Sequence, residues 1–136
     1  MLDASFTCQW LFQDEASPEG YAALRVVGRN GAVVPVLWFV EITNVLGMAE
    51  RRGRVSVTGV QEALRLLRSL PLTVDESPAL AGSDPLLDLM RSHRLTAYDA
   101  TYLELARRRG LPLATKDRDL LAAAPALGVP LFAVVP

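Results

Sequence analysis

The chain has 136 residues, of which 51% are hydrophobic and 21% charged, and its formal net charge is −1. This length and apolar content predict one folded domain, residues 1–136, with a substantial core, and they exclude a disordered chain. The single cysteine, Cys8, and the single histidine, His93, exclude a disulfide framework, a cysteine-based metal cage and a multi-histidine zinc site.

The longest apolar run, Ala32 to Val40, is interrupted by Pro35 and is far shorter than the roughly 20 residues that a membrane-spanning helix needs. No basic leader precedes Asp3, so the sequence predicts a soluble, cytoplasmic protein with no membrane association. The small net charge also argues against a protein held on nucleic acid by its overall charge alone.

The first half of the chain shows two helix signals before its first strand. Phe6, Trp10 and Leu11 recur at helical spacing and predict a helix to about Phe12. Ser17 followed by Pro18 is typical of a helix start. This second helix is predicted to reach about Val27. It is followed by a turn at 28–31, a strand at Ala32–Val36 and a helix at Leu37–Arg52 that ends at Gly53.

The second half contains two capping-box patterns, Thr58-x-x-Gln61 and Thr96-x-x-Asp99, and each predicts the start of a helix. The first helix is expected to reach Leu70 and the second the arginine run before Gly110. The other predicted elements are a strand at Leu72–Val74, a helix from Asp84 to about His93, a strand at Leu111–Ala114, a short helix starting within 115–119 and a final strand at Val129–Val135.

Four acidic residues lie near the ends of these strands or in the helices that follow them: Asp3, Glu41, Asp99 and Asp117. Strands alternating with helices predict an α/β fold with a mostly parallel sheet, in which functional sites form beyond the carboxyl ends of the strands. We therefore expect the four carboxylates to meet at one edge of the sheet.

Several carboxylates in one cleft repel one another, and a divalent cation relieves that repulsion. Hard ions such as Mg²⁺ and Mn²⁺ prefer oxygen ligands, and an ion with open positions can activate water and stabilise charge on a phosphoryl group. A cluster of acids without histidine or cysteine ligands thus favours metal-assisted hydrolysis of phosphodiester bonds.

Each acid also has a simpler interpretation. Asp99 fits a capping box and Asp117 fits a helix N-cap, so each of them has a purely structural alternative. Glu41 can face solvent, and Asp3 can be a turn residue. Asp119 is an alternative to Asp117 as the fourth acid of the cluster.

With these motifs the sequence resembles the PIN-domain ribonucleases of the VapC toxin type. The resemblance covers almost the whole chain, and its most specific parts are Thr96-Ala-Tyr-Asp-Ala-Thr-Tyr-Leu103 and Thr115-Lys-Asp117. The other matching segments are Leu2-Asp-Ala-Ser5 and the run from Pro35 to Leu46, which includes Glu41 and Asn44. It implies a three-layer α/β/α sandwich with a short, mostly parallel sheet, and a single PIN-like nuclease domain over residues 1–136.

The resemblance also implies an endoribonuclease that depends on Mg²⁺ or Mn²⁺. Asp3, Glu41, Asp99 and Asp117 match the catalytic acids; Asp3 and Asp99 are expected to bind the metal directly. Glu41 and Asp117 are expected to act through water, to orient the attacking water or to hold a second ion. The expected supporting residues are Ser5, Asn44 and Thr115.

Three partners follow from the resemblance: an RNA substrate, a cognate VapB-type antitoxin and a second copy of the chain in a homodimer. Two other functions stay open. A catalytically inactive PIN-like interaction module is disfavoured because all four acids are present. A phosphoacceptor receiver-type domain also uses strand-end acids and Mg²⁺, but it requires paired acids after the first strand, where Asp3 stands alone.

Overall fold

The computed structural model describes residues 1–76 and 83–133. Seven helices and two strands are assigned in them, together with a 3₁₀ turn at Gln13–Glu15 that the sequence did not predict. The helices are α1 (Ala4–Leu11), α2 (Pro18–Asn30), α3 (Val36–Arg51), α4 (Val57–Ser69), α5 (Ser83–His93), α6 (Ala97–Arg109) and α7 (Arg118–Ala126), and the strands are β1 (Ala32–Pro35) and β2 (Leu72–Asp75).

The sheet is parallel and short. β1 pairs with β2 from Ala32 opposite Leu72 to Pro35 opposite Asp75. On the other side of β1 the amide of Leu2 donates to the Val33 carbonyl. Two isolated parallel bridges extend the sheet beyond Leu2: Leu2 pairs with Ala114, and Leu113 pairs with Leu131. All these segments therefore point their carboxyl ends to the same edge.

Two predicted strands form only as single bridges. The segment Leu111–Ala114 pairs at Leu113 and Ala114, and the segment predicted as Val129–Val135 pairs at Leu131. Pro112 and Pro130 lack the amide hydrogen that a longer ladder needs. Residues 134 and 135 of the predicted strand lie outside the described residues.

Two helix boundaries differ from the prediction. Helix α4 begins after Ser56, whose hydroxyl accepts from the Gly59 amide at 3.1 Å, so the capping box predicted at Thr58-x-x-Gln61 is wrong and Thr58 lies inside the helix. Residues 28–30, predicted as a turn, continue α2. Gly31 ends the helix with a φ of 76°, and a Cβ at this position would lie 2.7 Å from the Pro71 carbonyl oxygen.

Most other helices begin where the sequence places them, because their N-caps bind the expected amides. Ser17 accepts from the Gly20 amide, and Thr96 accepts from the Asp99 amide. Gly110 ends α6 in the left-handed conformation. The start of α6 is therefore fixed by local chemistry, which matters because Asp99 lies in its first turn.

One continuous core of buried side chains joins the helices to the sheet, and its largest fully buried members include Trp38, Tyr102 and Leu2. The Trp38 indole donates to the Thr7 hydroxyl at 3.2 Å, which ties α3 to α1. In the described part of the chain no helix is long and apolar enough to cross a membrane.

Candidate active site

A cavity of about 460 Å³ lies at the carboxyl-terminal edge of the sheet and is lined by all four predicted acids. Asp3 comes from the entry to α1, Glu41 from α3, Asp99 from the start of α6 and Asp117 from the start of α7. The fold thus brings four separate stretches of sequence together. The other lining residues are Ala4, Ser5, Cys8, Glu15, Asn44, Val45 and Lys116.

Asp3 is fixed by two hydroxyl groups. Ser5 and Thr115 donate to its Oδ2 atom at 2.5 and 2.6 Å. Ser5 in turn accepts from the Lys116 amide, and Thr115 accepts from the Asp117 amide. The two residues predicted as supports therefore lie beside Asp3, which itself lines the cavity.

The carboxyl group of Asp3 lies in a poorly hydrated position, since only 5% of the residue is exposed. Burial raises the pKa of Asp3, and the hydrogen bonds from Ser5 and Thr115 lower it again in part. Neutral hydroxyls stabilise the charged form but supply no opposite charge. A cation would therefore bind the Asp3 carboxylate more strongly than it binds a carboxylate exposed to bulk water.

Glu41 is half-buried, and the hydroxyl of Tyr102 donates to its Oε2 atom across the boundary between α6 and α3. Burial raises the pKa of Glu41, the hydrogen bond from Tyr102 lowers it, and the nearby charges of Asp3 and Asp99 raise it further. Burial also raises the pKa of Tyr102, so its phenol remains a donor. The sequence analysis did not single out Tyr102, which belongs to the Thr96–Leu103 motif, as a candidate site residue.

For Asp99 and Asp117 the sequence left open a helix-capping role and a role in the acidic cluster, and the structure gives each residue both positions. The Thr96 hydroxyl donates to Oδ2 of Asp99 at 2.5 Å. Oδ1 of Asp117 accepts from the amides of Asp119 and Leu120, as an N-cap does. Both acids therefore shape their helix ends and also face the cavity. Asp119 is exposed and is absent from the described lining, which favours Asp117 as the fourth acid.

Three further lining residues were not predicted. Glu15 lies on the 3₁₀ turn, where its carboxylate pairs with Arg54 at 2.7 Å. Burial, followed by the nearby charges of Glu15 and Asp3, raises the pKa of the Cys8 thiol to about 11, so the thiol stays protonated and is a poor metal ligand. Lys116 is exposed beside Asp117 and adds a positive charge at the rim.

The donor groups of the cavity suit a hard cation, because carboxylates, hydroxyls and the amide of Asn44 supply oxygen ligands. Within residues 1–76 and 83–133 no three acidic, histidine or cysteine side chains lie close enough together to form a ready ion cage. The acids thus share one cavity without a preformed three-ligand centre. The chemistry of the donors fits Mg²⁺ or Mn²⁺, with Asp3 and Asp99 as the predicted direct ligands.

A second cavity, of about 520 Å³, lies at the opposite edge of the sheet, between Gly31, Pro71 and Pro112. Its described lining is mainly apolar and contains no carboxylate. The smaller cavity, with its convergent acids, is therefore the candidate active site.

Comparison with protein families gives a match to the PIN domain over residues 1–125. The chain is 37% identical over 100 residues to ribonuclease VapC3 of Mycobacterium tuberculosis, which covers 73% of this chain and 69% of the relative. It is also 38% identical over 82 residues to exonuclease VapC9 of Pyrobaculum aerophilum, which covers 60% of this chain and 59% of that protein.

Among solved structures, PAE2754 from Pyrobaculum aerophilum superposes with a TM-score of 0.69 and 30% sequence identity. The match covers 90% of this chain and 83% of the other. With the family match, it confirms the predicted α/β/α sandwich with a short, mostly parallel sheet.

Proposed function

This chain belongs to the PIN-domain family, and on that basis we propose that it is a metal-dependent endoribonuclease that acts as the toxin of a toxin–antitoxin pair. The single observation that carries the proposal is the convergence of Asp3, Glu41, Asp99 and Asp117 in one cavity. The ribonuclease and exonuclease names of the similar VapC proteins support a nuclease. We further propose that residues 1–136 form one nuclease domain.

In the proposed mechanism Asp3 and Asp99 hold Mg²⁺ or Mn²⁺ through carboxylate oxygens. The bound ion would supply an activated water and stabilise negative charge on the phosphoryl oxygens. Ser5 and Thr115 favour the ionised form of Asp3 and fix its Oδ2 atom by hydrogen bonds. Asp3 itself lines the cavity in which the ion would be held.

Glu41 and Asp117 flank this pair from two other elements. Each has one oxygen held, Glu41 by Tyr102 and Asp117 by the amides of α7. The second oxygen of each is then available to accept a proton from water or to orient it. Asn44 lies one turn after Glu41 on α3 and lines the same cavity, so we propose that its amide helps to orient that carboxylate.

The proposed activity is tested with two RNA substrates of one sequence, a linear RNA labelled at its 5′ end and its circular form. Cleavage of both with Mg²⁺ or Mn²⁺, and of neither with EDTA, is expected. Cutting of the linear form alone would indicate an exonuclease, as the name of the relative from Pyrobaculum aerophilum states for that protein. D3A and D99A proteins that cleave as fast as the wild type would refute the mechanism, and an absence of both cleavage and Mn²⁺ binding would favour the inactive module.

The proposed partners are an RNA substrate, a VapB-type antitoxin and a second copy of the chain. The VapC names of the similar proteins support the antitoxin. Co-expression with the product of a short neighbouring reading frame is expected to yield a complex with suppressed cleavage. Light scattering of the purified chain is expected to give the mass of a dimer, and a monomer mass would contradict that part of the proposal.

A further inference from the structure

Tyr102 lies behind the candidate active site. Only 1% of the residue is exposed, and it is absent from the described lining of the acidic cavity. Its hydroxyl nevertheless donates to Oε2 of Glu41, 61 residues away in the sequence. Tyr102 therefore contacts the acid Glu41 from the core side of the molecule.

The position of Tyr102 on α6 connects two of the acids. Asp99 and Tyr102 are three residues apart, so they lie on one face of the helix about one turn from each other. Asp99 lines the cavity directly, whereas Tyr102 holds an acid that belongs to α3. One helix thus carries one acid of the site and restrains a second.

Glu41 needs such a restraint because its neighbours repel it. The charges of Asp3 and Asp99 both act against its ionised form. A glutamate has a long, flexible side chain, and ordering it costs conformational entropy. Without a donor on Oε2, Glu41 would lower its energy by turning from the other acids towards water.

We propose that Tyr102 is a positioning residue that tethers Glu41 in the acidic cavity and so sets its distance from Asp99 for ion binding. This inference rests on the proposed metal-dependent function. The phenol fixes Oε2 from the protein interior, while Glu41 lines the cavity. A buried aromatic ring moves little, so the geometry is in place before an ion arrives.

The first test measures Mn²⁺ binding to the whole chain by isothermal titration calorimetry, without RNA. Y102F removes the hydroxyl and keeps the ring. We expect its Mn²⁺ affinity to fall about 10-fold, the lower end of what loss of an outer-shell partner costs, because Glu41 is expected to reach the ion through water. Y98F is the matched control. It makes the same change one turn away on α6, at a side chain that is 61% exposed, and is expected to bind as the wild type does.

A double-mutant cycle separates tethering from a general effect on the fold. In an E41A background Tyr102 has no carboxylate to hold, so adding Y102F is expected to leave the affinity unchanged. If Y102F weakens binding equally in both backgrounds, or binds Mn²⁺ like the wild type, the tether is overturned. Should Y102F fold poorly by circular dichroism, E41D tests the same contact, because its shorter side chain keeps the charge but withdraws from the phenol. A loss of about 10-fold is then expected, and wild-type affinity would overturn the tether.

The same titration distinguishes this inference from the proposed function. If the wild type binds Mn²⁺, D99N loses binding and Y102F keeps it, only the tether fails. If the wild type itself does not bind Mn²⁺, the metal-dependent function and the tether both fail.

Discussion

Asp3 and Asp75 are two buried carboxylates at the same edge of one sheet, and they are stabilised in different ways. Asp75 ends β2, its side chain is 7% exposed, and it pairs with Arg108 at 3.0 Å and Arg109 at 3.1 Å. Asp3 follows Leu2 and is 5% exposed, and the side chains that donate to it are the hydroxyls of Ser5 and Thr115.

The difference separates a structural acid from a candidate catalytic one. Asp75 obtains its positive charges from α6 of the same chain. In the ranges 1–76 and 83–133 no ion pair involves Asp3, Glu41, Asp99 or Asp117, although Lys116 lies at the rim of their cavity. A buried charge without a counter-charge lowers stability, so the arrangement at Asp3 suits a cation from solution.

The largest expected effect is on RNA cleavage, when Asp3 and Asp75 are each replaced by asparagine. D3N should lower the rate of RNA cleavage in Mn²⁺ about 100-fold or more, because it removes a proposed direct ligand. D75N should cleave within about 2-fold of the wild type, since Asp75 pairs with Arg108 and Arg109 and is absent from the described lining of the acidic cavity. Initial rates on one labelled RNA give both values.

The next effect concerns the ion itself. In the absence of RNA, Mn²⁺ at 100 times its dissociation constant should stabilise the wild-type fold by about 2.7 kcal/mol, which raises the midpoint of thermal unfolding by about 9 °C for a chain of this size. EDTA should reverse the shift. D75N should show the full shift from its own baseline and D3N almost none; an equal shift in D3N would contradict a role for Asp3 as a ligand.

The contrast between Asp3 and Asp75 also shows which parts of the site a sequence can predict. Position relative to a strand end placed Asp3, Asp117 and Glu41 correctly at one cavity, because parallel strands share their direction. Thr115 was found through its motif, and its contact with Asp3 spans 112 residues. Local patterns succeed where a side chain follows directly from the geometry of its own element.

Contacts between distant elements were not predictable in this way. Tyr102 has the helical spacing of a core residue, and nothing local indicates that its hydroxyl meets Glu41 on another helix. The role of Glu15 depends on a 3₁₀ turn held by Arg54, 39 residues away. The pairing of Asp75 with two arginines of α6 depends on tertiary packing in the same manner.

In the fold, the errors lie where two local signals compete. Ser56 and Thr58 are both suitable N-caps, and the tertiary structure uses Ser56. Gly28 is helical, whereas Gly31 ends α2 beside the Pro71 carbonyl oxygen. The apolar runs near Pro112 and Pro130 have strand composition but form single bridges, since proline removes the donors of a longer ladder.

A smaller effect is expected on stability, from the loss of the negative charge of Asp75. D75N should lower the free energy of unfolding by about 1–2 kcal/mol, because it weakens charged hydrogen bonds to a buried acceptor while both arginines can still be hydrated. D88N is the matched control, since the Asp88–Arg91 pair is 3.8 Å apart and largely exposed, and its loss should be below about 0.5 kcal/mol. Urea unfolding in EDTA measures both, and equal losses would contradict the distinct role of Asp75.

The smallest effect is the pH dependence of stability without an ion. Burial raises the pKa of Asp3, so between its unfolded pKa of about 3.9 and its folded pKa the native state binds more protons than the unfolded state. The contribution of Asp3 to the free energy of unfolding therefore falls as pH rises through that window. D3N lacks this proton and also relieves repulsion on Glu41, so its stability relative to the wild type should increase with pH in EDTA-treated samples. Urea midpoints across a pH series measure the difference, and parallel curves for the two proteins would mean that the charge on Asp3 is already compensated within the chain, as it is on Asp75.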